Sequence, residues 1–274
     1  AALEAVLAAG DVGTVVATMG TTGIGSVDPL AAILRLQQKY GFRVHVDAAY
    51  GGYFTLADNL QPQTSTHFDS MAAADSIVID PHKHGLQPYG CGCILFKNPA
   101  VGSIYKHDSP YTYFSSDELH LGEISLECSR AGAAAVALWA TQRLLPMQRG
   151  GEFAKDLASS HTAALQLYDL LAAEVGFRTF FAPQLDIVVW CLRARKASVI
   201  SQLSKQCFAA AAERGLHVAL VTLPADLLKP YCVDIEFDES AVTCLRSCLM
   251  KAEHLHWVDR IWALLKESAD AVRA

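Results

Sequence analysis

Three short runs rich in β-branched residues, each followed by a polar loop, constrain the fold of this chain most. The runs are Thr14–Thr18, Arg43–Asp47 and Ser76–Ile79. The spacing predicts a helix between the first two, with Asp28-Pro29 as N-cap and first helical position and Gly41 as the stop. Alternation of strands and helices favours an α/β fold with a mostly parallel sheet. In such sheets the loops at the carboxyl ends of the strands build the site.

The second half of the chain predicts a smaller α+β domain. We expect a helix from Ser129 to about Leu145 and a longer one over 151–174, and we place the domain boundary between them, which gives domains 1–150 and 151–274. The pattern further predicts strands over 185–194, 216–223 and 232–237, helices over 198–213 and 253–270, and an ambiguous apolar segment over 244–250.

Composition excludes several classes of protein. The chain has 274 residues, of which 52% are hydrophobic and 18% charged, as is typical of a core-rich globular protein. A net charge of −6 argues against a broad nucleic-acid surface, and no uncharged apolar stretch is long enough to predict a membrane span. The eight cysteines form no CxxC pair, which favours reduced thiols in the cytoplasm over disulfides or a zinc site.

A lysine directly after the third run carries the strongest chemical signal. Lys83 follows an Asp-Pro stop and lies between two histidines. Burying a lysine at the end of a strand costs free energy unless the amine has a partner or a chemical function. One such function is to form a Schiff base. The alternative is a surface lysine in a polar turn. Asp47 ends the second run, and a pyridoxal-phosphate site needs such a carboxylate beside the pyridine nitrogen. The alternatives are a turn or N-cap aspartate at 47 and a structural histidine at His82.

Three segments together resemble a known family. His45–Gly52, Asp80–Lys83 and Ala17–Thr22 are similar to the group II pyridoxal-phosphate-dependent amino-acid decarboxylases, which include tyrosine and aromatic-amino-acid decarboxylases. The resemblance extends over about residues 12–145 and is diffuse beyond them. It implies the aspartate-aminotransferase-like fold (type I), with a partial large domain and a C-terminal small domain.

The resemblance also implies roles for individual residues. Lys83 would form the Schiff base with pyridoxal 5′-phosphate, Asp47 would pair with the pyridinium nitrogen, and His82 would reach the phosphate. Ala49 would pack on one face of the ring. Thr22, rather than Thr21, would bind near the cofactor or the substrate carboxylate. The implied reaction converts an L-amino acid to its amine and CO₂.

The long loop 103–128 corresponds to the mobile catalytic loop of the family. Tyr111 and Tyr113 are candidate proton donors there, with aromatic packing under the loop as the alternative. Arg130 either binds a carboxylate or phosphate of the substrate or makes a salt bridge near a helix start. The resemblance implies a homodimer, because in the family this loop often acts across the subunit interface.

Some features depart from the family pattern. His84 stands where several members carry tryptophan, and the family's ring-stacking histidine and N-terminal phosphate-binding loop have no counterpart. The chain therefore resembles a C-terminal fragment, which is expected to bind the cofactor poorly by itself. Two alternatives stay open: a lyase for phosphorylated amines or an aminotransferase of the same fold, and a non-catalytic chain that acts through dimerisation.

Overall fold

The first half of the molecule is built on a four-stranded sheet. The computed structural model describes residues 2–106, 120, 123 and 132–273. The sheet has the order β1-β2-β3-β4, in which β1, β2 and β3 are parallel and β4 is antiparallel to β3. Its strands are β1 (Thr14–Thr18), β2 (Arg43–Asp47), β3 (Ser76–Ile79) and β4 (Cys93–Phe96). The mostly parallel sheet is confirmed.

Helices α1 (Ala2–Ala8), α2 (Leu30–Tyr40), α3 (Pro62–Asp69) and α4 (Ala133–Leu144) accompany this sheet, with 3-10 helices at Gly52–Leu56, Met71–Ala73 and Pro99–Tyr105. Helix α2 ends at Gly41, whose φ of 76° is the left-handed conformation that glycine adopts at low cost. The predicted N-cap is wrong: Asp28 does not cap α2. Its Oδ2 instead accepts a hydrogen bond of 2.8 Å from the backbone N–H of Thr18.

The second half is an antiparallel sheet with helices packed against it. Its order is β5-β6-β8-β7. The elements are α5 (Glu152–Ala173), β5 (Phe177–Thr179), β6 (Ile187–Leu192), α6 (Ala197–Glu213), β7 (Ala219–Pro224), α7 (Ala225–Leu228), a 3-10 helix (Lys229–Tyr231), β8 (Ala241–Cys248) and α8 (His254–Arg273). The ambiguous segment 244–250 therefore lies mostly in strand β8.

The strand predicted over 232–237 is wrong. This segment makes one isolated bridge, between Glu236 and Lys196, instead of a strand. The alternating sequence is overridden by side-chain contacts, because Asp234 pairs with Arg178 of β5. Val233, which the pattern would have placed on a sheet face, is 98% exposed.

A shared apolar core joins the two sheets. Val44 and Val46 of β2 belong to the same buried cluster as Ile187 and Val189 of β6. The other face of β6, with Trp190, packs into a second cluster under α5, α6 and α8. The boundary near residue 150 stays a prediction. In the part of the chain that the structure describes, no helix is both long and apolar enough to cross a membrane.

Candidate active site

Three polar segments meet at one edge of the parallel sheet. The register places Thr18 opposite Asp47, and Asp47 opposite Val78, so that β1, β2 and β3 end side by side. The loop after β1, Asp47 with its following loop, and the Lys83 turn after β3 are therefore neighbours, as the alternation of elements predicts.

Lys83 lies in the turn that follows β3. Its backbone N–H donates to the carbonyl of Asp80 at 2.9 Å, and its Nζ lies 3.0 Å from Asp80 Oδ2. Its side chain is 31% exposed. The amine is thus neither sealed in the core nor free in solvent. It remains accessible to a reagent that approaches the sheet edge.

Asp47 is half-buried at the end of β2. Its Oδ1 accepts a hydrogen bond of 3.1 Å from the backbone N–H of Ala49. Its Oδ2 makes no hydrogen bond to any residue that the structure describes. Ala48 is fully buried and Ala49 is half-buried, so small side chains border the carboxylate. A carboxylate with one available oxygen fits the requirement for a partner to a protonated ring nitrogen.

His82 is held on two sides. Its Nδ1 lies 2.8 Å from the carbonyl oxygen of Cys91, and because a carbonyl only accepts, Nδ1 carries the proton. The ring also stacks on Tyr89, with 5.0 Å between centroids. Nε2 lies 3.7 Å from Asp80 Oδ2, too far for a hydrogen bond. Nε2 is therefore the atom through which His82 can serve another group.

The two threonines of the Gly-Thr-Thr loop after β1 differ in their hydrogen bonds. Thr21 Oγ1 lies 3.0 Å from Ser26 Oγ and also accepts from the N–H of Ser26 at 3.1 Å. Thr22 is exposed, and its hydroxyl makes no hydrogen bond within the described part of the chain. Thr22 is thus the threonine with a hydroxyl left for a ligand.

This loop also packs backbone to backbone against the loop after β2. A Cβ added to Gly51 would lie 2.1 Å from the carbonyl oxygen of Met19. No L side chain fits at that distance, so glycine at this position permits the approach of the two loops.

Sequence reasoning missed two groups near the turn. The first is Asp186, fully buried, whose carboxylate contacts the side chains of His84 and Tyr50. The second is Arg246 of β8, whose buried Nε has no hydrogen-bond partner among the described residues. No local motif marks either residue. The sequence signal that could have indicated them is weaker than a motif: each is a charged residue in an otherwise apolar stretch.

A cavity of 450 Å³ borders the turn on the side of the second sheet. His82, Lys83 and His84 line it from the turn, and Asp156, Lys251 and Glu253 line it from the opposite side. Burial raises the pKa of Asp156, and the charges of Glu152 and Glu253 raise it further. The lining of this cavity is therefore of mixed charge.

Three predicted site residues lie outside the described residues: Tyr111, Tyr113 and Arg130. The segments that carry Thr22, Asp47 with Ala49, and His82 with Lys83 end or follow adjacent strands at this edge of the sheet, as their sequence positions predict.

The parallel sheet and the lysine turn at its carboxyl edge define an enzyme fold of the type I pyridoxal-phosphate class. The crystal structure of Oryza sativa TDC with PLP and tryptamine has this fold, with a TM-score of 0.78 and 20% identity over 98% of this chain and 53% of that one. The type I fold is therefore confirmed. Residues 1–193 match the family model described as the pyridoxal-dependent decarboxylase conserved domain, and the chain belongs to this family.

Named relatives agree with this family. The L-tyrosine decarboxylase of Enterococcus faecium is 33% identical over an alignment of 191 residues. The match covers 57% of this chain and 31% of that protein. The aspartate 1-decarboxylase of Aliivibrio fischeri is 40% identical over 121 residues, 44% of this chain and 21% of that protein. The chain thus spans about half of the solved structure and a smaller share of these curated relatives.

Proposed function

We propose that the complete protein uses pyridoxal 5′-phosphate, held on Lys83, to decarboxylate an L-amino acid to its amine and CO₂. The observation that carries the proposal is the placement of Lys83 and Asp47 at the ends of adjacent parallel strands, at one edge of the sheet, in a chain of this family. A lysine and a carboxylate in that relation are the two groups that pyridoxal chemistry requires of a protein.

The residues at the sheet edge fit this cofactor. When bound, pyridoxal phosphate supplies an electron sink for the charge left on the α-carbon as CO₂ departs. Lys83 provides the amine, already paired with the Asp80 carboxylate. The available oxygen of Asp47 holds a proton on the ring nitrogen, and Ala49 offers a small packing surface beside it. His82 keeps Nδ1–H on the carbonyl of Cys91 and donates to the phosphate through Nε2 when both ring nitrogens carry protons.

Two further roles concern substrate binding. The free hydroxyl of Thr22 is a donor for a carboxylate near the cofactor. Tyr111 or Tyr113 protonates the α-carbon after CO₂ loss, and Arg130 binds the substrate. The amino acid itself is one of the classes handled by relatives, such as tyrosine or aspartate.

We also propose a cytoplasmic homodimer with domains at 1–150 and 151–274. Helix α4 supports the dimer, because none of its 12 residues is buried while Val136 and Trp139 are 64% and 59% exposed. Apolar side chains exposed in this way are typical of a surface that another polypeptide covers. Seven cysteines of the described chain are free, which supports a reducing compartment.

The test uses the complete natural polypeptide with pyridoxal phosphate. CO₂ release is measured from a panel that contains tyrosine, aspartate and 2,4-diaminobutyrate, and borohydride reduction with peptide mapping identifies the modified lysine. We expect CO₂ release from at least one amino acid, modification at Lys83, and loss of both in Lys83→Met. Lys205→Met removes an exposed lysine of α6 and serves as the matched control.

Two outcomes would contradict the proposal. Covalent modification that persists in Lys83→Met would place the anchor elsewhere. Consumption of an α-keto acid without CO₂ release would identify an aminotransferase of the same fold.

A further inference from the structure

A buried chain of three polar side chains joins the Lys83 turn to the second sheet. His84 follows Lys83 directly and is 4% exposed, Tyr50 is 6% exposed, and Asp186 is fully buried. His84 Nε2 lies 2.8 Å from Asp186 Oδ2, and the Tyr50 hydroxyl donates to Asp186 Oδ1 at 2.7 Å. His84 Nδ1 lies 2.9 Å from the backbone carbonyl oxygen of Tyr50.

The hydrogen-bond partners assign roles to the ring nitrogens of His84. The carbonyl of Tyr50 can only accept, so Nδ1 carries a proton. Nε2 and Asp186 Oδ2 share a proton in the second hydrogen bond, and the Tyr50 hydroxyl donates to the other carboxylate oxygen. Burial, followed by the charge of Asp186, raises the pKa of Tyr50, so its hydroxyl stays a donor.

The His84 ring is also packed on its faces and edges. Tyr50 and Phe54 meet it edge-on, with centroid distances of 4.8 and 5.1 Å. Neither ring nitrogen is left for a ligand. His84 therefore acts on the site through the backbone of its neighbours rather than by a hydrogen bond to cofactor or substrate.

Those neighbours carry the site. Lys83 precedes His84 in the turn, and Asp47 lies three residues before Tyr50, whose carbonyl His84 holds. Asp186 is itself fixed, because its carbonyl accepts from the N–H of Leu249 at 2.8 Å. The network thus ties the lysine segment and the aspartate segment to one buried point of the second sheet.

Stability alone does not explain such a pair. A buried hydrogen-bonded or ionic pair is often replaced by apolar residues of similar volume without loss of stability, since desolvation of the polar groups offsets their attraction. We propose that His84, with Asp186 and Tyr50, is a positioning residue that sets the separation of Lys83 and Asp47 for the cofactor. This inference rests on the proposed function of Lys83 and Asp47.

The test replaces the whole network by apolar groups in the complete natural polypeptide. The triple variant Tyr50→Phe/His84→Leu/Asp186→Leu removes all members of the network together, so we expect its melting temperature to stay within a few degrees of the wild type. We expect pyridoxal phosphate to bind at least tenfold more weakly by absorbance titration. We also expect kcat to fall, with KM for the amino acid little changed.

A buried polar residue outside the network provides the control. Ser204 of α6 is fully buried, and its hydroxyl has no hydrogen-bond partner in the described chain. Ser204→Ala should leave cofactor affinity unchanged. If the triple variant fails to fold, Asp186→Asn is the second variant. It keeps the side-chain shape but presents an amide donor to a site where donors already converge, and we expect at least threefold weaker cofactor binding.

The outcomes distinguish failure of the positioning role from failure of the proposed function. Wild-type cofactor affinity and kcat in a folded triple variant, or in Asp186→Asn, would overturn the positioning role while leaving Lys83 as the anchor. Failure of the wild type to bind cofactor or to be modified at Lys83 would overturn the proposed function itself.

Discussion

At the scale of single residues, the turn that carries Lys83 leaves no room for a side chain at Gly85. A Cβ there would lie 2.4 Å from the Tyr53 hydroxyl and 2.7 Å from Pro81 Cα. The first contact can move with the tyrosine, whereas the second belongs to the backbone. The position of the turn therefore depends on glycine for steric reasons.

We expect Gly85→Ala to lower the free energy of unfolding by about 1–3 kcal/mol, because the turn must shift to admit the methyl group. Urea denaturation measures the change. Gly92→Ala is the matched control, since its Cβ meets only Asp80 Oδ1 at 3.7 Å, an ordinary contact. Adding Tyr53→Phe to Gly85→Ala should recover only part of the loss. Full recovery would show that the Pro81 contact is unimportant.

A second prediction at this scale concerns pH and His161. Burial lowers the pKa of its imidazole from the ordinary value of 6.5. The unfolded chain therefore binds the proton more readily, so this residue's contribution to stability is complete above pH 6.5 and is lost as the pH falls toward the lowered value. Each pKa unit corresponds to about 1.4 kcal/mol.

His161→Leu should accordingly flatten the dependence of the melting temperature on pH between about 7 and 5, as measured by calorimetry. His256→Leu, at an exposed position of α8, should leave the slope as in the wild type. Equal slopes in wild type and His161→Leu would contradict the assignment.

At the scale of elements, strands β6 and β8 are joined by a side-chain hydrogen bond as well as by their ladder. Trp190 Nε1 donates to Ser247 Oγ at 3.0 Å, and Trp190 is fully buried. Removing the acceptor would leave a buried indole N–H without a partner, which is more costly than the hydrogen bond is favourable.

Ser247→Ala should therefore lower the free energy of unfolding by about 1–3 kcal/mol. Ser268→Ala removes an equally buried hydroxyl of α8, but that hydroxyl donates to the carbonyl of Leu264 within the same helix. Its loss should cost less, because it leaves no donor unpaired. Chemical denaturation of both variants gives the comparison, and equal losses would refute it.

Elements also differ in how far local sequence specifies them. Strands β1, β2 and β3 begin and end where their β-branched runs do, because a buried strand with a polar stop has a local signature. Segment 232–237 has a similar alternation but forms no strand, because Asp234 is drawn to Arg178, 56 positions away. Alternation indicates a capacity to pair, and the available partners decide whether pairing occurs.

At the scale of the whole molecule, helix α4 presents large apolar side chains, Val136 and Trp139, that are more than half exposed. We expect Trp139→Ser to weaken the proposed dimer of the complete polypeptide, because the indole would lose its apolar surroundings at the interface. Sedimentation measures the shift toward monomer. Trp257→Ser is the control, since Trp257 is 56% exposed on α8, whose opposite face is already buried. Equal effects of the two variants would argue against α4 as the interface.

From local sequence alone, the parallel strands and the lysine, aspartate and threonine loops at their ends could be predicted. These depend on residue periodicity and on neighbours a few positions away, and such information is local. The contact of Asp186 with His84, across 102 positions, and the absence of a strand over 232–237 came from the three-dimensional structure. Contacts of that span leave no local pattern, because they arise from the packing of two sheets on a shared core. The lysine turn was therefore interpretable from the sequence once Asp47 and the Thr21-Thr22 loop were considered with it, whereas the buried pair behind the turn was not.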